Sequence, residues 1–258
     1  MTAWLNLTKK EFRLGLPAFI FSLIVLIGIF AISTIIGLSI DLMWETLTIG
    51  AFATVALHGF YLAYYMLYSL DVERKRMHLW LHNPLPIVQL LLAKLVSGLS
   101  YMLITLITAA IVLWQAYVNS MVSINVSEWL TTLILSVITL FTTTLLLGCT
   151  YLFFWTVFMT LSKTYNDFLS FVLTFLFFLV VVSLFNTVEG VSFLFDWGEV
   201  NNESVLSGIE FSISNEIYSF EIEEASTVFY IGHFVRDLVL ASLLFVGGSW
   251  ILDRKVEV

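Results

Sequence analysis

The sequence is poor in charge, in cysteine and in proline. Only 12% of its 258 residues are Asp, Glu, Lys or Arg, whereas 60% are hydrophobic, and the mean hydropathy is +0.98. A soluble domain is nearer a quarter charged, and one core in a chain of this size cannot hide so much Phe, Leu, Ile and Val. Lipid must serve as solvent for the remainder, which places the chain in the membrane class. The single cysteine, Cys149, lies in an apolar run. It can form no internal disulfide and reads as a small buried hydrophobe rather than a redox group.

Absent motifs exclude further classes. There is no G-x-x-x-x-G-K-[ST] loop to cradle phosphates, and no H-E-x-x-H, G-x-S-x-G or clustered Cys/His. An enzyme is therefore not expected: the chain offers no catalytic site, no metal site and no cofactor site of its own. No basic patch points to nucleic acid. An Arg-rich voltage-sensor helix and a filter-like Gly loop are missing. The spans hold few of the acids an ion-coupled carrier needs. Energy for uphill transport would have to come from another chain. With no internal repeat or low-complexity tract, residues 1–258 read as one transmembrane domain.

What is present is a series of long apolar runs. A helix crossing the hydrocarbon core needs about 20 residues. Six segments qualify, at about 17–38, 46–68, 95–117, 129–157, 168–185 and 228–252. They are continuous rather than alternating, so helices and not a barrel are expected. The first exceeds a signal-peptide core and is read as a retained span. Ahead of it, MTAWLNLTKKEFRLGL is amphipathic and suits a short interfacial helix on lipid head groups, with Pro17 opening the first span.

Lys and Arg fix the expected orientation. With the N-terminus inside, Lys9, Lys10, Arg13, Arg74, Lys75, Arg76, Lys94, Lys163, Arg254 and Lys255 are all cytoplasmic, and of the eleven basic residues only Arg236 falls outside. Of the nineteen acids most fall outside, concentrated between Glu189 and Glu224. Both termini are then cytoplasmic.

Two polar segments carry the functional candidates. The inner loop reads LDVERKRMHLWLHNPLPIVQLLLAKL. Asp71 to His82 can form a short, partly apolar helix, which Asn83-Pro84-Leu85-Pro86 then breaks. It is either a docking surface for a cytoplasmic partner or a helix resting on lipid through Arg74, Lys75 and Arg76. His78 and His82 share a helix face, but no third ligand accompanies them. His58, in span two, reads as a hydrogen-bonded interior residue. At the start of span six, Leu238 to Leu252 would be only about 22 Å long as a helix. His233, Arg236 and Asp237 therefore enter the outer part of the membrane, either as a polar lining near an outer gate or as structural ion pairs. The acidic, aromatic stretch 186–227 is expected to form re-entrant or interfacial helices capping a pathway.

The segment TKKEFRLGLPAF, the inner loop, and a long polar insert before a last span ending in LDRK together resemble the permease subunit of type-2 ABC exporters. The resemblance covers the chain in architecture. It implies an all-α membrane fold of six spans in a bacterial cell membrane, with TKKEFRLGLPAF as an elbow helix. The loop helix near Glu73, Arg74 and Trp80 would be a coupling helix seated in an ATP-binding cassette subunit. The partners implied are that subunit, which binds ATP and Mg, a second permease subunit, and membrane lipid. The substrate expected is amphipathic, such as a peptide or antibiotic, moved outward. The competing expectations are an ion-driven carrier and a membrane-embedded enzyme or assembly factor.

Overall fold

The computed structural model describes residues 2–74, 85–119, 126–189, 194–214 and 217–256. The apolar runs form helices: α1 (Thr2–Ser39), α2 (Met43–Leu57), α3 (Tyr61–Arg74), α4 (Ile87–Asn119), α5 (Val126–Leu161), α6 (Asp167–Glu189) and α7 (Ile231–Ile251). A 3-10 turn, His58–Phe60, joins α2 to α3 within one apolar stretch. A wider turn, Leu252–Val256, follows α7. Among the described residues, five stretches are long and apolar enough to cross a membrane, and α6 adds a further apolar helix. These helices mark the chain as a multi-pass membrane protein.

One expectation changes at the N-terminal end. The N-terminal segment is not a separate helix ahead of Pro17: α1 is continuous, with Pro17 inside it. A proline removes a single helical hydrogen bond, and membrane helices tolerate it where neighbours support the freed backbone. Here Tyr101 Oη donates to the Phe12 carbonyl at 2.6 Å, and Phe19 stacks on the Tyr101 ring, so α4 braces α1 on both sides of the proline. At about 1.5 Å per residue α1 is about 57 Å long, well beyond the hydrocarbon thickness. At the inner loop, α3 runs on to Arg74 and α4 begins at Ile87, just after Pro86; the remainder of the helix expected over Asp71 to His82 lies outside the described residues.

The outer segment departs from expectation more sharply. In place of re-entrant or interfacial helices, β1 (Glu199–Ser214) and β2 (Ile217–Tyr230) form an antiparallel hairpin that leads directly into α7. The register pairs Phe211 with Phe220, Ile213 with Tyr218 and Ser214 with Ile217. The pattern explains it. Ile209, Phe211 and Ile213 alternate with Glu210 and Ser212, and Phe220 and Ile222 flank Glu221. That is a period of two, which a helix would scatter around its circumference.

Helix α3 lies against α4 and α5. Leu62, Met66 and Leu70 are fully buried with Leu90, Leu91 and Leu152. Two glycines make room for it: a Cβ at Gly98 would stand 2.8 Å from a Leu62 methyl, and one at Gly148 would stand 2.6 Å from the same side chain. Small residues that let helices approach closely are the main device of membrane packing. Ile24, Ile27 and Ile35 of α1 and Phe168 and Phe171 of α6 are exposed, as lipid-facing side chains would be.

Candidate functional site

The last turn of α3 gathers the charges at one end of the bundle. Lys94 of α4 is fully enclosed, and Glu11 of α1 nearly so. The Lys94 ammonium donates to Glu11 Oε2 at 2.8 Å and to Ser69 Oγ at 2.8 Å, and lies 2.8 Å from Glu73 Oε2. Three oxygens thus surround the ammonium, those of Glu11 and Ser69 as hydrogen-bond acceptors and that of Glu73 as an ion-pair partner. Glu73 Oε1 faces Lys10 Nζ at 3.7 Å, at the partly exposed edge of the cluster. Lys94 is enclosed between two carboxylates, and the half-exposed Lys10 brings a second ammonium to Glu73, pairings that offset the cost of burying charge. The effect is a latch joining α1, α3 and α4.

The next residue leads the other way. Arg74 Nη2 donates to Asp167 Oδ2 of α6 at 2.8 Å, and its guanidinium sits 5.0 Å from the centre of the Phe158 ring of α5. Glu73 and Arg74 together fasten the end of α3 to α1, α4, α5 and α6. Of the three residues expected to dock a partner, Glu73 therefore turns inward to Lys94, and Arg74 lies on the outer side of α3. Trp80, with His78 and His82, lies outside the described residues.

Higher in the bundle, the α2–α3 junction holds a polar knot. His58 Nδ1 is 2.7 Å from the Thr54 carbonyl and Nε2 is 3.0 Å from Thr105 Oγ1. A carbonyl only accepts, so Nδ1 carries the proton and, in the neutral ring, Nε2 accepts from the Thr105 hydroxyl. Thr144 Oγ1 donates to the His58 carbonyl at 3.0 Å, which ties α5 to the same turn. His58 is thus a hydrogen-bonded interior residue.

At the far end of α7, the three gate candidates fall into two contacts. His233 Nε2 is 3.1 Å from Asp196 Oδ1, and its ring centre is 5.4 Å from that of Tyr230. Arg236 Nε donates to Asp237 Oδ1 at 3.0 Å. The start of α7 is anchored by Ile231 N to the Gly198 carbonyl and Gly232 N to the Trp197 carbonyl, both at 3.2 Å. Leu252, just past the other end of this helix, belongs to the same buried cluster as Leu7, Leu70 and Ile87. His233 and the Lys94 cluster therefore lie at opposite ends of the bundle.

Glu11 and Lys94 are the residues that sequence reasoning missed as a site. The signal was present: Lys94 is a lone cation in LLLAKLV, flanked by apolar residues on every side. A charge in such a run needs a partner. The sequence alone does not say that Glu11, 83 positions away, supplies it.

No family model, no curated protein and no solved structure matches this chain.

Proposed function

We propose that this chain is the permease subunit of a type-2 ABC exporter, a six-span protein of the bacterial cell membrane with both termini cytoplasmic. It pairs with a second permease subunit and docks an ATP-binding cassette subunit, which holds ATP and Mg. The cargo is amphipathic, such as a peptide or antibiotic, and moves outward. The single observation that carries this reading is the double fastening of Glu73 and Arg74. They belong, with Trp80, to the stretch expected to seat in the ATPase. A displacement of that segment would reach α1 and α4 through Lys94 and α6 through Asp167, so the end of α3 is built to pass motion on. The ends of α1, α3 and α4 that meet there also carry Lys9, Lys10, Arg13, Arg74 and Lys94, the Lys and Arg bias of a cytoplasmic face.

An ion-driven carrier is the second reading, favoured by the burial of Glu11 and Glu73 at membrane-helix ends. Transport separates the two. Vesicles holding the chain and a co-expressed cassette ATPase should move cargo with ATP and not with an ion gradient alone. Changing Glu73, Arg74 and Trp80 together should abolish copurification of the ATPase. Gradient-driven transport without the ATPase, or copurification unaffected by the triple change in a folded protein, would defeat the exporter reading.

A further inference from the structure

A groove of about 360 Å³ runs between α3, α5 and α6. Its floor is formed by Phe154 and Trp155 of α5 and Thr174 of α6, all buried. Its rim is apolar and open, with Leu67, Phe171 and Phe175 each about half or more exposed on the side that faces lipid. Phe158, Arg74 and Asp71 also line it. Binding cavities span roughly 300–1,000 Å³, and this one is at the small end of that range.

Among the described residues, Arg74 is the one cation in the lining, and the carboxylates beside it are Asp71, also in the lining, and Asp167. The Arg74 side chain is one-third exposed, held across the Phe158 ring and directed by Asp167. A guanidinium carries five N–H donors, and the bond to Asp167 uses one. It stands at the end of the bundle where Lys10, Glu73 and Lys94 meet, beside an apolar slot open to lipid. Arginine at such a boundary pairs with phosphate in a fixed, often bidentate geometry. We propose that the groove is a phospholipid site: one acyl chain lies along Phe154, Trp155 and Thr174, and the phosphate accepts hydrogen bonds from Arg74. The proposal stands on the groove and does not depend on the exporter reading.

Arg74 and Asp167 allow a test with opposite signs. The protein is purified in a non-ionic detergent and titrated with dioleoyl phosphatidylglycerol, with one-to-one adducts counted by native mass spectrometry. Arg74→Gln should weaken binding about tenfold, the worth of a charge-assisted hydrogen bond. Asp167→Asn removes the carboxylate bonded to Arg74 and should strengthen binding. Mere loss of fold would lower both. Dioleoylglycerol, with the same chains and no phosphate, should bind about tenfold more weakly than the phospholipid. Inorganic phosphate alone should give no adduct. A diazirine on the acyl chain should label 151–178. Weaker binding in Asp167→Asn, equal binding of the diacylglycerol, retention of inorganic phosphate, or labelling confined to α1 would each overturn the proposal. So would displacement of the adduct by an amphipathic peptide equally well in the wild type and Arg74→Gln.

Discussion

Lys94 Nζ and Glu11 Oε2 lie 2.8 Å apart with both side chains shut off from the surface, so α1 and α4 share an ion pair that has no solvent to fall back on. Removing one partner of such a pair leaves the other charge buried and uncompensated, at a cost of about 3–5 kcal/mol. Lys94→Met should therefore lower thermal stability in detergent by that order. The combined change Lys94→Met, Glu11→Gln, Glu73→Gln should regain most of it, because no naked charge remains. A Lys94→Met protein as stable as the wild type would show that the cluster does not hold the helices together.

Arg74 makes the opposite case from an adjacent position. Its pair with Asp167 is exposed, with 34% and 70% of the two side chains accessible. Exposed pairs contribute about 0–1 kcal/mol. Arg74→Ala should leave the melting temperature nearly unchanged while Glu73→Ala, one residue earlier, lowers it clearly. Thermal unfolding of the two variants side by side checks the contrast; equal losses would mean that burial does not separate the two roles.

The close approach of α3 to α4 and α5 rests on two missing side chains. At Gly98 a Cβ would meet Tyr65 Cδ1 at 2.6 Å as well as Leu62. Tyr65 is fully buried and bonded to Ser97 at 2.7 Å, so it has little room to yield. Gly98→Val should cost at least about 1–3 kcal/mol through overpacking, read as a lower melting temperature. Gly28, where an added Cβ would meet nothing within 4 Å, is the matched control, and Gly28→Ala should be neutral or better. Equal effects at both positions would remove the packing explanation.

How much of this was legible differs from element to element. The apolar runs at 17–38 and 95–117 map onto α1 and α4 because hydrophobic length is a local property that the sequence displays directly. Their overhangs were not legible, since helices extend past the hydrocarbon wherever partners such as Glu11 and Lys94 wait for them. His58 was readable as an interior hydrogen-bonding residue from its place in a span, but its partners Thr105 and Thr144 come from other helices. The hairpin was written in the alternation of Ile209, Phe211 and Ile213 and was obscured by the aromatic run before it. The Glu11–Lys94–Glu73 cluster was least visible, because a contact between residues 11, 73 and 94 is set by tertiary packing alone.

The hairpin offers a test of both its register and its side of the membrane. Ser212 and Ser219 are direct partners across β1 and β2. Opposed residues in an antiparallel pair have Cα atoms about 4.5–5.5 Å apart, within the reach of a disulfide. In a Cys149→Ser background, Ser212→Cys with Ser219→Cys should crosslink on mild oxidation. Ser212→Cys with Ile217→Cys should not, because these two positions are out of register by two residues along the strand. A membrane-impermeant maleimide applied to intact cells should block the reduced pair, as an outward-facing hairpin requires. Crosslinking in the offset pair would shift the register. Labelling only after the cells are broken would turn the hairpin to the cytoplasm, and with it the Lys94 cluster and the docking end of α3 to the outside, where no ATPase could reach them.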